Sequence, residues 1–234
     1  SDKDNVENYA WQTSWGVSWR LIGAMIMVHG DNKGLVLPPK VSPIQVVIVP
    51  IYYSETDAKK VIEKANEIEN MLLDKKIRVH VDRRSELTPG FKFHDWELKG
   101  IPLRIEIGPK DIAKQKVVIA TRHNQEKTDL PIDKIGSEIN VIFEKIQNEM
   151  FDAAKKMLQE RSVSVDNYEK FKEELEKGGF LYASWCGDEN CEEKIKEETG
   201  AEIRVIPFEE KNQHTKCVYC GKSCTTTPIF ARGY

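Results

Sequence analysis

Apolar and polar positions change their period along the chain, and each change marks an element. Ala10 to Trp15 is compatible with a strand ended by Gly16, and Ser18 suits the N-cap of a helix reaching about Val28. Leu21, Ile22, Ala24, Met25, Ile26, Met27 and Val28 make that helix apolar on nearly every side, which predicts burial. His29-Gly30-Asp31 and Gly34 form a turn, and Leu35 to Pro39 leaves it extended. After a short break at Val41-Ser42-Pro43, Ile44 to Ile51 is a near-continuous apolar run, the pattern of a parallel strand covered on both faces. Thr56 to Leu73 carries Ala58, Val61, Ile62, Ala65, Ile68, Met71 and Leu72 on one helical face, and Ile77 to Val81 is a second strand. Pro89-Gly90 and Gly108-Pro109 then bracket two short elements. Phe91 to Lys99 has helical spacing in Phe93, Trp96 and Leu98. Pro102 to Ile107 alternates strictly, with Leu103, Ile105 and Ile107 on one face and Arg104 and Glu106 on the other.

Lys116 to Thr121 is a further strand. A long helix is expected from about Pro131 to Arg161, with Pro131 in its first turn and Ile135, Ile139, Ile142, Ile146 and Met150 in its buried stripe. Strands alternating with helices predict a three-layer α/β domain with a mixed sheet. Ser162 to Asn167 reads as a polar linker. Tyr168 to Lys177 is a short helix closed by Gly178-Gly179, Phe180 to Ser184 a strand, and Pro228 to Tyr234 a terminal tail.

The chain has 234 residues, 40% hydrophobic and 31% charged, enough for one large or two modest domains with real cores. A formal net charge of −3 argues against wholesale nucleic-acid binding, so any such contact must come from a local patch. No apolar run approaches the roughly 20 residues of a membrane helix, and Ser1 to Asn8 has no apolar signal-peptide core. The opening Ser1 suggests a fragment, and the expected compartment is the cytoplasm.

Three features carry candidate chemistry. Arg20, in the first turn of an apolar helix, opposes the helix dipole and needs an anion, either a structural carboxylate or a phosphate. Arg104 and Glu106, with Lys92, Glu97, Lys99 and Lys110 nearby, make a compact charged surface whose default reading is a solvated sheet face. Five cysteines, an odd number without a secretory signal, favour metal ligation over disulfides. Cys186-x4-Cys191 and Cys217-x-x-Cys220-Gly221 are two close pairs far apart in sequence, as a tetrahedral structural zinc requires, with Cys224 and His214 as spare ligands.

The stretch TSWGVSWRLIGAMIMVHGDNKGLVLPPKVSPIQVVIVP resembles motif 3 of class II aminoacyl-tRNA synthetases, in the wording of the archaeal/eukaryotic prolyl-tRNA synthetases. That resemblance implies the end of an antiparallel catalytic domain over residues 1–42, with Arg20 on the ATP γ-phosphate and Gln12, Thr13 and Ser18 lining the same pocket. The sequence departs from the family at Trp19, where a Thr is usual. PGFKFHDWELKGIPLRIEIGPKD resembles the class IIa anticodon-binding domain, implying an α/β domain over 43–162 that reads guanines of the tRNA(Pro) anticodon. The matching positions are Glu97, Arg104 and Lys110, with Lys127 and Arg122. An Arg can donate to guanine O6 and N7, and a carboxylate can accept from N1 and N2. Phe91 and Phe93 are candidates for stacking on unpaired bases. The resemblance extends to a small α+β zinc-binding domain over 163–234, with Cys186, Cys191, Cys217 and Cys220 as ligands, and to Tyr234, whose carboxylate would approach the ATP site. It implies a homodimeric enzyme joining L-proline to tRNA(Pro) through a prolyl-adenylate, using ATP and Mg²⁺. Motifs 1 and 2 are not in this chain, which alone is expected to be inactive. The alternative is a non-catalytic tRNA- or protein-binding module derived from a synthetase.

Overall fold

The structure, a computed structural model, describes residues 3, 4, 7, 9, 10, 12–208 and 215–233. The chain forms two compact units, Ser1–Met150 and Phe151–Tyr234.

In the first unit, helix α1 spans Arg20–His29, followed by β1 (Val46–Pro50), α2 (Glu55–Asp74), β2 (Val79–Val81) and α3 (Pro89–Leu98). Then come β3 (Leu103–Ile107), the short α4 (Pro109–Ala113), β4 (Lys116–Thr121), β5 (Lys127–Pro131) and α5 (Ile135–Glu160). The sheet order is β2-β1-β3-β4-β5. β1 runs parallel to both β2 and β3, while β4 and β5 are antiparallel to their neighbours, so the sheet is mixed as expected. Ser54 caps α2 by accepting the Asp57 N–H, and Val61, Ala65, Ile68 and Leu72 then recur along one face, fully buried. With Ile135, Ile139, Phe143 and Ile146 of α5 they cover Val46, Ile48, Leu103, Ile105 and Ile107. The opposite sheet face meets α3 through Val47, Val49, Trp96 and Ile101. Thr88 starts α3 by accepting the Phe91 N–H, and Pro89 occupies its first turn.

That third layer corrects the reading of β3. Arg104 and Glu106 do not lie on a solvated face: each is only 7% exposed, because α3 roofs the side of the sheet they occupy. The correction for α1 has the opposite sign. No residue of this helix is buried, and Leu21 and Met27 are 60% and 61% exposed. Its N-cap is Trp19, without a side-chain cap bond; the Ser18 hydroxyl instead accepts the Arg20 N–H. Ala10 to Trp15 forms no strand among the described residues. Helix α5 begins later than expected, at Ile135 after a 3-10 turn over Ile132–Lys134, because residues from Lys127 pair with β4. Pro131 ends that edge strand, where its missing N–H costs nothing.

The second unit has its own sheet and core. β6 (Ser162–Val165), α6 (Tyr168–Glu176), β7 (Phe180–Ala183), α7 (Glu189–Thr199), β8 (Ala201–Val205) and β9 (Ile229–Arg232) form a sheet ordered β6-β7-β9-β8. Phe171 and Phe230 meet edge to face at 5.3 Å in its centre, with Leu181 and Ile195 around them. Two expectations fail here. The polar linker is partly strand, since Val163 and Val165 alternate with serines and β6 pairs parallel to β7. The terminal tail contains an interior strand, β9, bonded on both sides and antiparallel to both neighbours. No helix of the described residues is long and apolar enough to cross a membrane.

Candidate nucleic-acid interface

β3 runs between β1 and β4, with Arg104 opposite Val47 on one side and Ala120 on the other. α3 covers β1 at this level, which leaves a narrow cleft open to solvent. Trp96, Glu97, Arg104, Thr121, Arg122, Gln125 and Lys127 are among the residues lining it. Sequence reasoning named five residues for this role, and Glu97, Arg104, Lys127 and Arg122 converge here. Lys110 does not line the cleft; it is exposed on α4, beyond the C-terminal end of β3.

The Arg104 guanidinium donates from Nε and Nη2 to Glu106 Oε1, at 3.1 and 2.9 Å. Its Nη1 lies 3.6 Å from Glu97 Oε1. Lys127 Nζ reaches the same Glu106 oxygen at 2.8 Å. Both cations stand over the Phe93 ring, at 4.3 Å for Arg104 and 5.2 Å for Lys127. Glu106 is therefore part of the constellation. The alternation that paired it with Arg104 was visible in the sequence, but nothing there placed Lys127 beside it.

Arg122 has a different environment. It is nearly buried and donates from Nη1 and Nη2 to the two carboxylate oxygens of Asp31, at 2.8 and 2.6 Å, and from Nε to the Glu97 carbonyl at 2.9 Å. The Arg122 hydrogen bonds hold the Asp31 carboxyl down at about 2, against the opposing effect of partial burial. This bidentate clamp fastens the turn after α1 to the cleft wall. Gly34, at φ 132°, lies so close to α3 that a Cβ there would stand 2.6 Å from the Leu98 carbonyl oxygen. Leu35 and Leu37 donate their N–H groups to the carbonyls of Leu98 and Gly100.

Of the residues expected at an ATP pocket, Gln12, Thr13, Ser18 and Arg20 are all exposed, and no carboxylate pairs with Arg20 among the described residues. Tyr234 and the spare ligand His214 lie outside the described residues.

In the second unit, the sulfurs of Cys186, Cys191, Cys217 and Cys220 all lie within 4.8 Å of one another. Cys186 is 3.7 Å from both Cys191 and Cys220. Cys217 and Cys220 sit on a tight knuckle in which Cys217 accepts the Gly221 N–H and donates to Lys222. The backbone amide of Lys222 lowers the Cys220 thiol to about 7, whereas burial raises Cys191. Cys224 is not in the cluster.

Comparison with known proteins gives these sites a setting. A family model described as an anticodon binding domain matches residues 45–142, and one described as the C-terminal part of prolyl-tRNA synthetase matches residues 168–234. A proline–tRNA ligase of Cenarchaeum symbiosum is 53% identical over 236 aligned residues, covering 100% of this chain and 49% of the relative. The chain belongs to the prolyl-tRNA synthetase family. Proline–tRNA ligase 2 of Clostridioides difficile is 48% identical, covering 96% of this chain and 46% of the relative. The prolyl-tRNA synthetase of Cryptosporidium parvum, solved with L-proline and AMP, matches at a TM-score of 0.92 and 42% identity, covering 100% of this chain and 50% of that one. The chain thus spans about half the length of the prolyl-tRNA synthetases it matches, and the cleft lies in the stretch that matches the anticodon binding domain.

Proposed function

We propose that this chain is the C-terminal part of a proline–tRNA ligase and that its own task is to select the tRNA by its anticodon. The observation that carries this reading is the convergence of Glu97, Arg104 and Lys127 in one cleft, with both cations over Phe93. An unpaired guanine offers O6 and N7 as acceptors and N1–H and N2–H as donors, and the cleft sets a guanidinium beside a carboxylate to meet both kinds. The loop of a tRNA is where such edges are free. Lys110, exposed nearby on the chain, serves the same RNA through its phosphates. Arg122 acts through Asp31 and the Glu97 carbonyl, holding the wall that carries Glu97. In the whole enzyme, L-proline and ATP react to a prolyl-adenylate, which then acylates tRNA(Pro).

Residues 1–42 are read as the end of the catalytic domain, 43–162 as the anticodon-binding domain and 163–234 as the zinc domain. Arg20, exposed at the start of an apolar helix and without a carboxylate partner among the described residues, suits an ATP phosphate contact, with Gln12, Thr13 and Ser18 beside it and Mg²⁺ accompanying the nucleotide. Tyr234 is assigned to the same neighbourhood on family grounds. The apolar surface of α1, left open here, is the surface a larger catalytic domain would cover, and the homodimer and the cytoplasmic location follow the family. Zinc is the metal proposed for the four cysteines. A tetrahedron with Zn–S bonds of about 2.3 Å has sulfur–sulfur edges of about 3.8 Å, which the two 3.7 Å separations match.

The test is Arg104→Ala in the full-length protein. Affinity for tRNA(Pro) should fall by about 1–3 kcal/mol, with proline-dependent ATP–pyrophosphate exchange unchanged. Unaltered tRNA affinity would overturn the anticodon assignment. Absence of exchange activity from the wild-type full-length protein would favour a non-catalytic tRNA-binding module.

A further inference from the structure

The cleft contains a carboxylate whose position is not explained by contact with RNA. Glu106 is 7% exposed, and a single one of its oxygens, Oε1, receives Arg104 Nε, Arg104 Nη2 and Lys127 Nζ. One edge of the guanidinium is thereby used up, and the Nη1 side is left turned toward Glu97. Phe93 supports both cations from beneath, so they are held from two directions. Two cations over one ring repel each other unless an anion lies between them, and a half-buried setting strengthens that repulsion. Glu106 supplies the anion. With Glu97 it brings the four charges, Arg104 and Lys127 against Glu97 and Glu106, to a formal sum of zero. Arg122 and Asp31 cancel in the same way.

Neutrality has a consequence for what the cleft can bind. A surplus of positive charge attracts phosphate irrespective of sequence, and binding then falls steeply with salt. Donors of fixed direction with no net charge reward only a ligand edge that matches them. We propose that Glu106 is the positioning residue that sets specificity in this cleft. It fixes Arg104 and Lys127 and cancels their charge, so that the cleft accepts a guanine edge and rejects phosphate. The proposal rests on the anticodon reading above.

The experiment compares wild type, Glu106→Gln, Glu106→Asp and Arg104→Ala in the full-length protein. The RNAs are tRNA(Pro) transcripts carrying either their own anticodon guanines or adenines in their place, measured at several salt concentrations. Glu106→Gln keeps the size but drops the charge. The preference for guanine should fall about ten-fold, within what one bidentate base contact supplies, and the slope of log affinity against log salt should steepen by about 0.7 as one cation turns to phosphate. Glu106→Asp keeps the charge but is one methylene too short to hold both cations. Its preference should fall while its salt slope stays at the wild-type value. In both variants, KM for tRNA should rise, with kcat and ATP–pyrophosphate exchange unchanged. A purely structural role predicts instead lower melting temperatures and equal losses on both RNAs. That outcome, or an unchanged guanine preference in both variants, overturns the proposal. If Arg104→Ala also leaves guanine preference intact, the anticodon reading itself fails; if only the Glu106 variants do, only the role of Glu106 fails.

Discussion

The Arg122–Asp31 clamp allows a stability prediction in which two independent magnitudes can be compared. Replacing Arg122 with Met removes two charge-assisted hydrogen bonds to Asp31 and one to the Glu97 carbonyl, while keeping an apolar stem in the site. Hydrogen bonds to charged groups contribute about 1.5–3 kcal/mol each when buried. Asp31 is 39% exposed in its side chain, so water takes over much of what Arg122 gives up. A second measure comes from titration. Lowering a carboxyl from 3.8 to about 2 corresponds to about 2.4 kcal/mol. That value is a ceiling for a group so exposed, and screening reduces it to about 1 kcal/mol. The expected loss in Arg122→Met is therefore about 1–3 kcal/mol. Its pH dependence has a definite sign: Asp31 has a folded pKa below its unfolded one, so its contribution is complete above about pH 4 and fades as pH falls toward 2. At pH 3 about half of it should be gone. Urea unfolding of both proteins at pH 7 and pH 3 measures the gap, and amide exchange at Leu35, bonded to the Leu98 carbonyl, reports the local opening. Equal stability at pH 7, or a gap of the same size at both pH values, refutes the reasoning.

Two further outcomes are expected. Purified protein should contain about one zinc per chain by elemental analysis, and chelation or Cys191→Ser should unfold the second unit, because binding a structural zinc contributes on the order of 10 kcal/mol to such small folds; zinc-free protein that melts unchanged after chelation would remove the metal. Met27→Glu should change the stability of this chain by less than about 0.5 kcal/mol, since the side chain is 61% exposed, yet should impair ATP–pyrophosphate exchange in the full-length enzyme; a loss above about 1 kcal/mol in this chain means that α1 is packed.

Much of the fold was legible because its signals are local. The apolar run in β1, the stripe of α2 and the breakers around α3 and β3 each depend on neighbours in sequence, and the structure contains all of them. The four clustered cysteines were legible for the same reason, the members of each pair lying within five residues of one another in sequence. What failed depended on distant partners. The second unit builds α7 on only Cys191, Ile195 and Thr199, too sparse a stripe in a run of Glu and Lys to stand out. β9 looked like a tail because nothing near Phe230 indicates that β7 and β8 enclose it.

The charged face of β3 shows why the same pattern could be read two ways. Alternation of apolar and charged residues ordinarily means that one face meets water, since a buried charge without a partner costs several kcal/mol. Here the partner is two residues away on the same strand, so Arg104 and Glu106 satisfy each other before any other element arrives. A strand that carries its own ion pair can go under a helix without stranding a charge, and its spacing is indistinguishable from that of an exposed strand. What decides between them is the roof. Trp96 and Phe93 are placed by the helix that Thr88 and Pro89 start, and Phe93 lies under both cations of the cleft. If the segment reads a base as proposed, partial cover serves it better than full exposure. It lowers the dielectric around Arg104 and holds the guanidinium in one orientation, with the Nη1 side toward Glu97 at the cleft. On the proposed reading, the residues that made the segment look like an ordinary wet sheet face are the ones that would let it discriminate, provided Glu106 keeps them neutral.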